Sequence, residues 1–199
     1  MSEPAKKPMQ NPESYTPKKP EIINLMDEAK GSIMRQERGV SEMEYRIEKT
    51  ENFQIMGLSG YENEKTERDS EVTGLWVDFT ANYDNRLMNH NGEMIYSAPY
   101  WQVGACNEKY VNGKMKMVIG AEYKGTMIDG MSLETIPAAT YAVFSFPWPA
   151  GYSYCMEAYR KITEWFEASE YTLDEEAYRL EVYLIGGDHW ELWMPVLSE

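Results

Sequence analysis

Residues 179–196 read RLEVYLIGGDHWELWMPV, two short runs of alternating apolar and polar residues on either side of Gly186-Gly187-Asp188. Alternation with a period of two is typical of half-buried β-strands, and a glycine-rich turn between two such runs predicts a β-hairpin. Across this turn, alternation places the apolar side chains of both strands on one face, where helices can pack. The opposite face then carries two carboxylates and two aromatic rings: Glu181, Tyr183, Glu191 and Trp193. Such a face is either solvated surface or the floor of a site.

The elements that lead into this hairpin repeat an order found earlier in the chain. Two predicted strands separated by Pro137 and a helix from about Ser153 to Ala168 precede it. Between about residues 43 and 123 the order is again strand, strand, helix, strand, strand. We therefore predict an α+β domain over residues 41–199. Two tandem βαββ-type units, about 41–125 and 131–199, are related by pseudo-two-fold symmetry and form a central ligand cleft.

The N-terminal 40 residues differ from the rest of the chain. Residues 1–20 hold five of the ten prolines, with lysine, serine and asparagine between them, which predicts a disordered tail. In residues 21–40, Ile22, Leu25 and Met26 begin an apolar stripe at helical spacing. This stripe predicts a helical extension that docks on the domain or pairs with another chain.

Charge and composition limit the partners. The formal net charge is −14, and such an acidic surface repels phosphate backbones, so we expect no direct nucleic-acid binding. A cationic ligand would be attracted instead. No apolar run approaches the roughly 20 residues that cross a bilayer, so no membrane partner is expected. Cys106 and Cys155 are too few for a disulfide framework, which predicts a cytoplasmic protein.

Three stretches resemble the gyrase-inhibitor-like (GyrI-like) small-molecule-binding family, whose domain follows many AraC-type DNA-binding domains. They are YRIEKTENFQIMGLSG at residues 45–60, IPAATYAVFSF at 136–146 and EWFEASEYTLDEEAYRLEVYLIGGDHWELWMPV at 164–196. The resemblance covers about residues 43–196. It implies two tandem βαββ-type units with a ligand cleft between them, in agreement with the repeat.

The resemblance leaves two classes of function open. The family includes effector domains that sense cationic multidrugs, a protector of DNA gyrase, and hydrolases of cyclopropane-bearing DNA-alkylating compounds. The roughly 40 residues before the match are too few for a helix-turn-helix domain, so we expect a stand-alone role. A detoxifying hydrolase of flat, electrophilic, cyclopropane-bearing genotoxins is favoured. The alternative is a non-enzymatic binder that sequesters aromatic or cationic compounds, or a module that docks on a protein partner such as gyrase.

The Leu-Glu-Val-Tyr match assigns the cleft carboxylate of the multidrug sensors to Glu181. A carboxylate in an aromatic cleft has a raised pKa, so Glu181 is the candidate general base or cation anchor. Tyr183 is the candidate catalytic group that stabilises developing charge. The further candidate ligand-binding residues are Trp193, Glu191, Trp148 and Tyr141.

Several candidates also have a purely structural interpretation. The structural interpretation is favoured for Glu191, as an exposed strand residue, and for Trp76, as a core residue on a helical stripe. His90 and His189 lie in predicted turns without Cys or His at ligand spacing, so we expect no metal. The sequence contains no nucleotide-binding or dinucleotide-binding fingerprint, and no cofactor is expected.

Overall fold

The computed structural model describes residues 43–63, 71–82, 86–97, 99–111, 114–148 and 152–197. The predicted tail and the N-terminal helical extension lie outside these residues. The elements are β1 (Tyr45–Lys49), β2 (Phe53–Asn63), α1 (Glu71–Ala81), β3 (Tyr100–Val111), β4 (Lys114–Glu122), β5 (Ser132–Ile136), β6 (Thr140–Pro147), α2 (Tyr152–Ala168), β7 (Tyr178–Ile185) and β8 (His189–Val196). The predicted order of elements and the α+β class are confirmed.

All eight strands form one antiparallel sheet in the order β1-β6-β8-β7-β3-β4-β2-β5. Strands β1, β2, β3 and β4 of the first repeat correspond to β5, β6, β7 and β8 of the second. Exchanging each strand with its counterpart gives the same order, read in the reverse direction. The pseudo-two-fold axis therefore passes between β3 and β7, which are neighbours in the sheet. The repeats are interleaved, because β1 pairs with β6 and β5 pairs with β2. The division into units near 41–125 and 131–199 stays a prediction.

The links between strands force this sheet to curl. β1 and β2 are six positions apart in the sheet, as are β5 and β6, yet residues 50–52 and 137–139 alone join them. Six strand spacings in a flat sheet span roughly 29 Å, whereas a three-residue link reaches at most ~14 Å. The two links also meet, since the Thr50 amide donates to the Ala139 carbonyl at 2.9 Å. The sheet therefore has an inner face and an outer face.

The inner face is filled by apolar side chains from seven strands, and the helices lie on the outer face. The inner cluster consists of Ile55, Trp101, Val103, Ala105, Val118, Ile136, Tyr141, Val143, Tyr178, Leu180, Val182 and Trp193. Across the curl, the Tyr178 hydroxyl on β7 donates to Glu134 on β5, four strands away in the sheet. On the outer face α1 packs over β2 and β4, and α2 packs over β6 and β8.

Candidate functional site

A half-buried carboxylate, Glu181, lies on the outer face beside the pseudo-two-fold axis. Its Oε1 accepts a hydrogen bond from the Tyr159 hydroxyl of α2 at 3.0 Å, and its Oε2 accepts one from the Tyr183 hydroxyl at 3.0 Å. Tyr183 follows two residues later on β7, which places both side chains on the same face. The Tyr183 oxygen also lies 3.3 Å from Sγ of Cys155. Among the described residues, no cationic side chain forms an ion pair with Glu181.

Burial controls the protonation of this group. It raises the pKa of Glu181, and the two tyrosine hydrogen bonds oppose the rise because they favour the ionised carboxylate. Burial and the adjacent Glu181 charge raise the pKa of Tyr159 and of Tyr183 as well. Both phenols therefore remain protonated and act as donors. Neutral donors hold the carboxylate in place without compensating its charge.

Tyr183 is surrounded by three tryptophan rings. Trp190 stacks on it, with ring centroids 5.7 Å apart and an interplanar angle of 15°. Trp76 of α1 meets it edge-on at 5.1 Å, and Trp148 lies at 6.2 Å with a tilt of 32°. Trp190 is buried, whereas Trp148 is 37% exposed. The aromatic cluster therefore reaches from the core to the solvent.

A glycine on β3 makes room for this cluster. Gly104 lies opposite Glu181 in the β3–β7 ladder, and a Cβ at this position would lie 2.4 Å from Cζ2 of Trp76. Because the side chain is missing, α1 can bring Trp76 down onto the sheet next to Tyr183. Side chains of both repeats therefore meet at the axis. We call this group the carboxylate–aromatic site; its members are Glu181, Tyr183, Tyr159, Trp76, Trp148 and Trp190.

The structure brings together only half of the candidate residues. Glu181, Tyr183 and Trp148 lie in the carboxylate–aromatic site. The expectation that Glu191 and Trp193 share a face with Glu181 is wrong, because both lie on the inner face. The remaining candidate, Tyr141, is fully buried there too, with its ring 5.7 Å from that of Trp193.

The turn of the β7–β8 hairpin explains this difference. The Gly187 amide donates to the Leu184 carbonyl at 2.9 Å, and Gly186 has a φ of 79°, which together define a β-turn that begins at Leu184. In the ladder Tyr183 pairs with Trp190, so an even number of residues separates the two partners, in agreement with this turn. Odd positions of β7 then share a face with even positions of β8. The apolar residues of the hairpin, which the sequence places together on the helix-facing side, are therefore divided between the two faces. Leu192, Met194 and Val196 face α2, whereas Val182 and Leu184 face inward.

On the inner face Glu191 has a counterion of its own. Arg46 binds it through two bonds, Nη1 to Oε1 at 2.9 Å and Nη2 to Oε2 at 3.0 Å. The Trp193 indole donates to Oε2 at 2.8 Å and the Ser145 hydroxyl to Oε1 at 3.1 Å. Glu191 is only 4% exposed, so it is not the exposed strand residue of the structural interpretation. Its hydrogen bonds link β1, β6 and β8.

Three members of the site were not among the candidates. The sequence assigns Trp76 to the core as part of a helical stripe, and it does not single out Tyr159 or Trp190. The signal for Tyr159 is its place on the face of α2 that turns towards the sheet, one helical turn after Cys155. The signal for Trp190 requires the hairpin register, which the turn fixes.

Three further observations concern the surroundings of the site and the rest of the described chain. A cavity of about 390 Å³ adjoins Tyr159 along the C-terminal half of α2, between Phe166, Arg179 and Met194. Within the described ranges, no three His, Cys, Asp or Glu side chains cluster as metal ligands. In the same part of the chain, no helix is long and apolar enough to cross a membrane.

Known structures share this fold. The structure of SAV2435 bound to tetraphenylphosphonium has a TM-score of 0.60 at 19% identity and covers 78% of this chain and 95% of that chain. An integron cassette protein, VCH_CASS2, from the mobile metagenome of Vibrio cholerae has a TM-score of 0.61 at 11% identity. The match covers 81% of this chain and 100% of that chain. The EcmrR C-terminal domain has a TM-score of 0.50 at 13% identity, and the match covers 80% of this chain and 100% of that chain. No curated protein matches the sequence.

The family comparison covers all of the site. The model of the Cass2 family, described as integron-associated effector binding protein, matches residues 46–196. This range contains both helices, all of the sheet except the first residue of β1, and every member of the carboxylate–aromatic site. The chain therefore belongs to the Cass2 family of integron-associated effector binding proteins, and the GyrI-like domain predicted from its motifs is confirmed.

Proposed function

We propose that this protein binds a small aromatic compound that carries a positive charge, with Glu181 as the counterion. The observation that carries this proposal is a half-buried carboxylate bonded to two neutral tyrosines, without an ion-pair partner among the described residues. Moving a carboxylate out of water is unfavourable, and hydroxyl donors restore only part of the lost solvation. A cation in the site supplies the missing attraction.

The rings around Tyr183 favour the same kind of ligand. The faces of Trp and Tyr attract cations by about 0.5–2 kcal/mol, most strongly where water is excluded. Their flat apolar area also favours an aromatic body on the ligand. The net charge of −14 raises the concentration of cations near the surface. Charge, shape and apolar area thus point to one ligand class.

The comparisons support this proposal. SAV2435, which shares the fold, was solved bound to tetraphenylphosphonium, a cation enclosed by phenyl rings. The Cass2 family is described as effector binding. Tetraphenylphosphonium is also a suitable probe, because it has no hydrogen-bonding group and no titratable proton. Its binding therefore reports charge and aromatic contact alone.

Calorimetric titration with tetraphenylphosphonium tests the proposal. Glu181→Gln keeps the size of the side chain and removes its charge, so we expect affinity to fall by about tenfold or more. The matched control is Glu134→Gln. Glu134 also accepts a tyrosine hydroxyl, from Tyr178, but it lies on the inner face. We expect this variant to bind like the wild type.

Two results would reject the proposed role of Glu181. One is a Glu181→Gln variant that binds the probe as tightly as the wild type. The other is an equal loss of affinity in both variants, which would indicate a general effect on the fold. Circular dichroism of both variants separates a folding defect from a loss of the counterion.

A second function, hydrolysis of an electrophilic cyclopropane, is favoured by one specific observation. A carboxylate with a raised pKa lies within hydrogen-bonding distance of two protonated phenols, so a base and two acids occupy one site. Glu181 would take a proton from water while the water oxygen bonds to a ring carbon. The broken carbon–carbon bond would leave its electron pair on a conjugated carbonyl, stabilised by Tyr183 and then protonated.

Mass spectrometry distinguishes the two functions. The protein is incubated with a flat alkylating compound that bears a conjugated cyclopropane, and the product is weighed. Hydrolysis gives a product heavier by one water, and Glu181→Gln should abolish most of it, since a positioned base contributes about 10²–10⁴ in rate. Binding without a mass change would reject the hydrolase and leave the cation proposal intact.

A further inference from the structure

Gln102 on β3 is a buried polar residue with an unsatisfied hydrogen-bonding group. Its side chain is 2% exposed, and its amide nitrogen Nε2 has no hydrogen-bond partner among the residues that the structure describes. Buried polar groups are almost always paired, because an unmade hydrogen bond in the interior is costly. An unpaired donor of this kind is available to a hydrogen-bond acceptor on a ligand.

The β3–β7 ladder places this amide in the carboxylate–aromatic site. Gln102 lies directly opposite Tyr183, so the two side chains project from the same face of the sheet. Gly104, which Trp76 covers, is two residues further along the same strand. The donor therefore lies on the site floor, across from the tyrosine that the three tryptophans surround.

The same ladder gives Gln102 a second significance. It pairs Gly104 with Glu181 and Gln102 with Tyr183, on either side of the pair formed by Val103 and Val182. Gln102 and Glu181 therefore lie on the same face, on neighbouring strands that belong to different repeats. The two repeats place different groups on the floor: one an acceptor with negative charge, the other a neutral amide. A ligand that lies across both strands meets both groups.

We infer that Gln102 binds a hydrogen-bond acceptor of the ligand, which defines the ligand class as aromatic cations that also carry a carbonyl or similar acceptor. This inference rests on the proposed function for the cationic end of the ligand. The cation faces Glu181, the aromatic body lies among the rings around Tyr183, and the acceptor meets the Gln102 amide. The acceptor thus lies on the side of the first repeat.

Two matched cations test the inference by calorimetric titration: 1-methylquinolinium and 3-acetyl-1-methylquinolinium. They differ in one carbonyl acceptor. We expect the wild type to bind the acetyl compound about fivefold more tightly, the effect of one additional neutral hydrogen bond. Gln102→Leu and Gln102→Met should lose this preference while keeping their affinity for 1-methylquinolinium. Gln54→Leu is the control, because Gln54 is exposed on β2, and it should keep the preference.

Thermal unfolding supplies a second readout. Replacing an unpaired buried amide with an apolar side chain should leave the melting temperature unchanged or raise it. A glutamine with a structural role would instead lower it. A clear drop in both Gln102 variants, or an acetyl preference that survives them, overturns the inference. A wild-type protein that binds the two quinolinium cations with equal affinity also overturns the inference.

The neutral compound 2-acetylnaphthalene separates this inference from the proposed function. If neither cation binds but 2-acetylnaphthalene binds and Gln102→Leu weakens it, the cation proposal fails and the role of Gln102 stands. If both cations bind equally, the cation proposal stands and the role of Gln102 fails. If none of the three compounds binds, both are overturned.

Discussion

Burial and two tyrosine hydroxyls together determine how readily Glu181 ionises. Burial raises the pKa of this carboxyl, and the bonds from Tyr159 and Tyr183 work in the opposite direction. A ligand cation requires the ionised form. Affinity should therefore be greatest above the raised pKa of Glu181 and should be lost as the pH falls through it. Because the tyrosine hydrogen bonds lower the pKa of Glu181, they extend the pH range in which the carboxylate is ionised and can face a cation.

Removing one of these donors should shift the pH range of cation binding to higher pH. Tyr159→Phe deletes a hydrogen bond to the ionised carboxylate, so the pKa of Glu181 should rise further. The pH at which half of the tetraphenylphosphonium affinity is lost should increase by roughly 0.5–1 unit. Titrations with tetraphenylphosphonium over a pH series measure this midpoint. Tyr178→Phe, which removes the hydroxyl bonded to Glu134, is the control, and an equal displacement there would contradict the assignment.

Gly104 should be required for the position of Trp76. In Gly104→Ala the new methyl group would lie 2.4 Å from the indole, so the ring must move away from Tyr183. We expect a loss of about 1–3 kcal/mol in unfolding free energy, a changed tryptophan emission and weaker binding of the cation. Gly74→Ala is the matched control. Nothing lies within 4 Å of its Cβ, and an alanine in this helix should stabilise the protein by about 0.5–1 kcal/mol. Equal effects would reject this role of Gly104.

At the scale of single elements, the sequence predicts existence and type well but not register. Alternation around Gly186 correctly gives two strands joined by a tight turn. It cannot tell whether an odd or an even number of residues lies between the ladder partners. That choice moves a whole strand to the other face. The β-turn that begins at Leu184 decides it, and it separates Glu191 and Trp193 from Glu181.

The same register gives Glu191 a structural role that can be measured. Arg46→Met removes the cation that faces this buried carboxylate, and we expect the unfolding free energy to fall by about 3 kcal/mol. Denaturant unfolding measures the change. Arg160→Met, which removes an exposed arginine from its pairs with Glu157 and Glu164, should have little effect. Equal losses in both variants would contradict the assigned role of Glu191.

At the scale of the whole molecule, the repeat in the sequence predicts the pseudo-two-fold arrangement. The exchange of β1 and β5 between the repeats could not be predicted, because short strands next to three-residue links carry no signal for their partners. The curl of the sheet follows from that exchange. The members of the site also could not be collected from the sequence, since Trp76 reaches Tyr183 only through the packing of α1 on Gly104.

The central claim is that an ionised Glu181 faces the positive charge of the ligand. A cation that binds there favours the ionised form, so it lowers the raised pKa of Glu181 and displaces a proton from the protonated fraction. The sign is fixed: affinity rises with pH, and binding releases protons at a pH above the ordinary glutamate value of about 4.3. Tetraphenylphosphonium carries no titratable proton, so every released proton comes from the protein.

Calorimetric titrations over a pH series above the ordinary glutamate value, each in two buffers that differ in ionisation enthalpy, count these protons directly. We expect a net release when the wild type binds tetraphenylphosphonium, no release with Glu181→Gln, and the wild-type release with Glu134→Gln. A wild type that binds the cation without releasing a proton and with the same affinity across the acidic range would contradict the account.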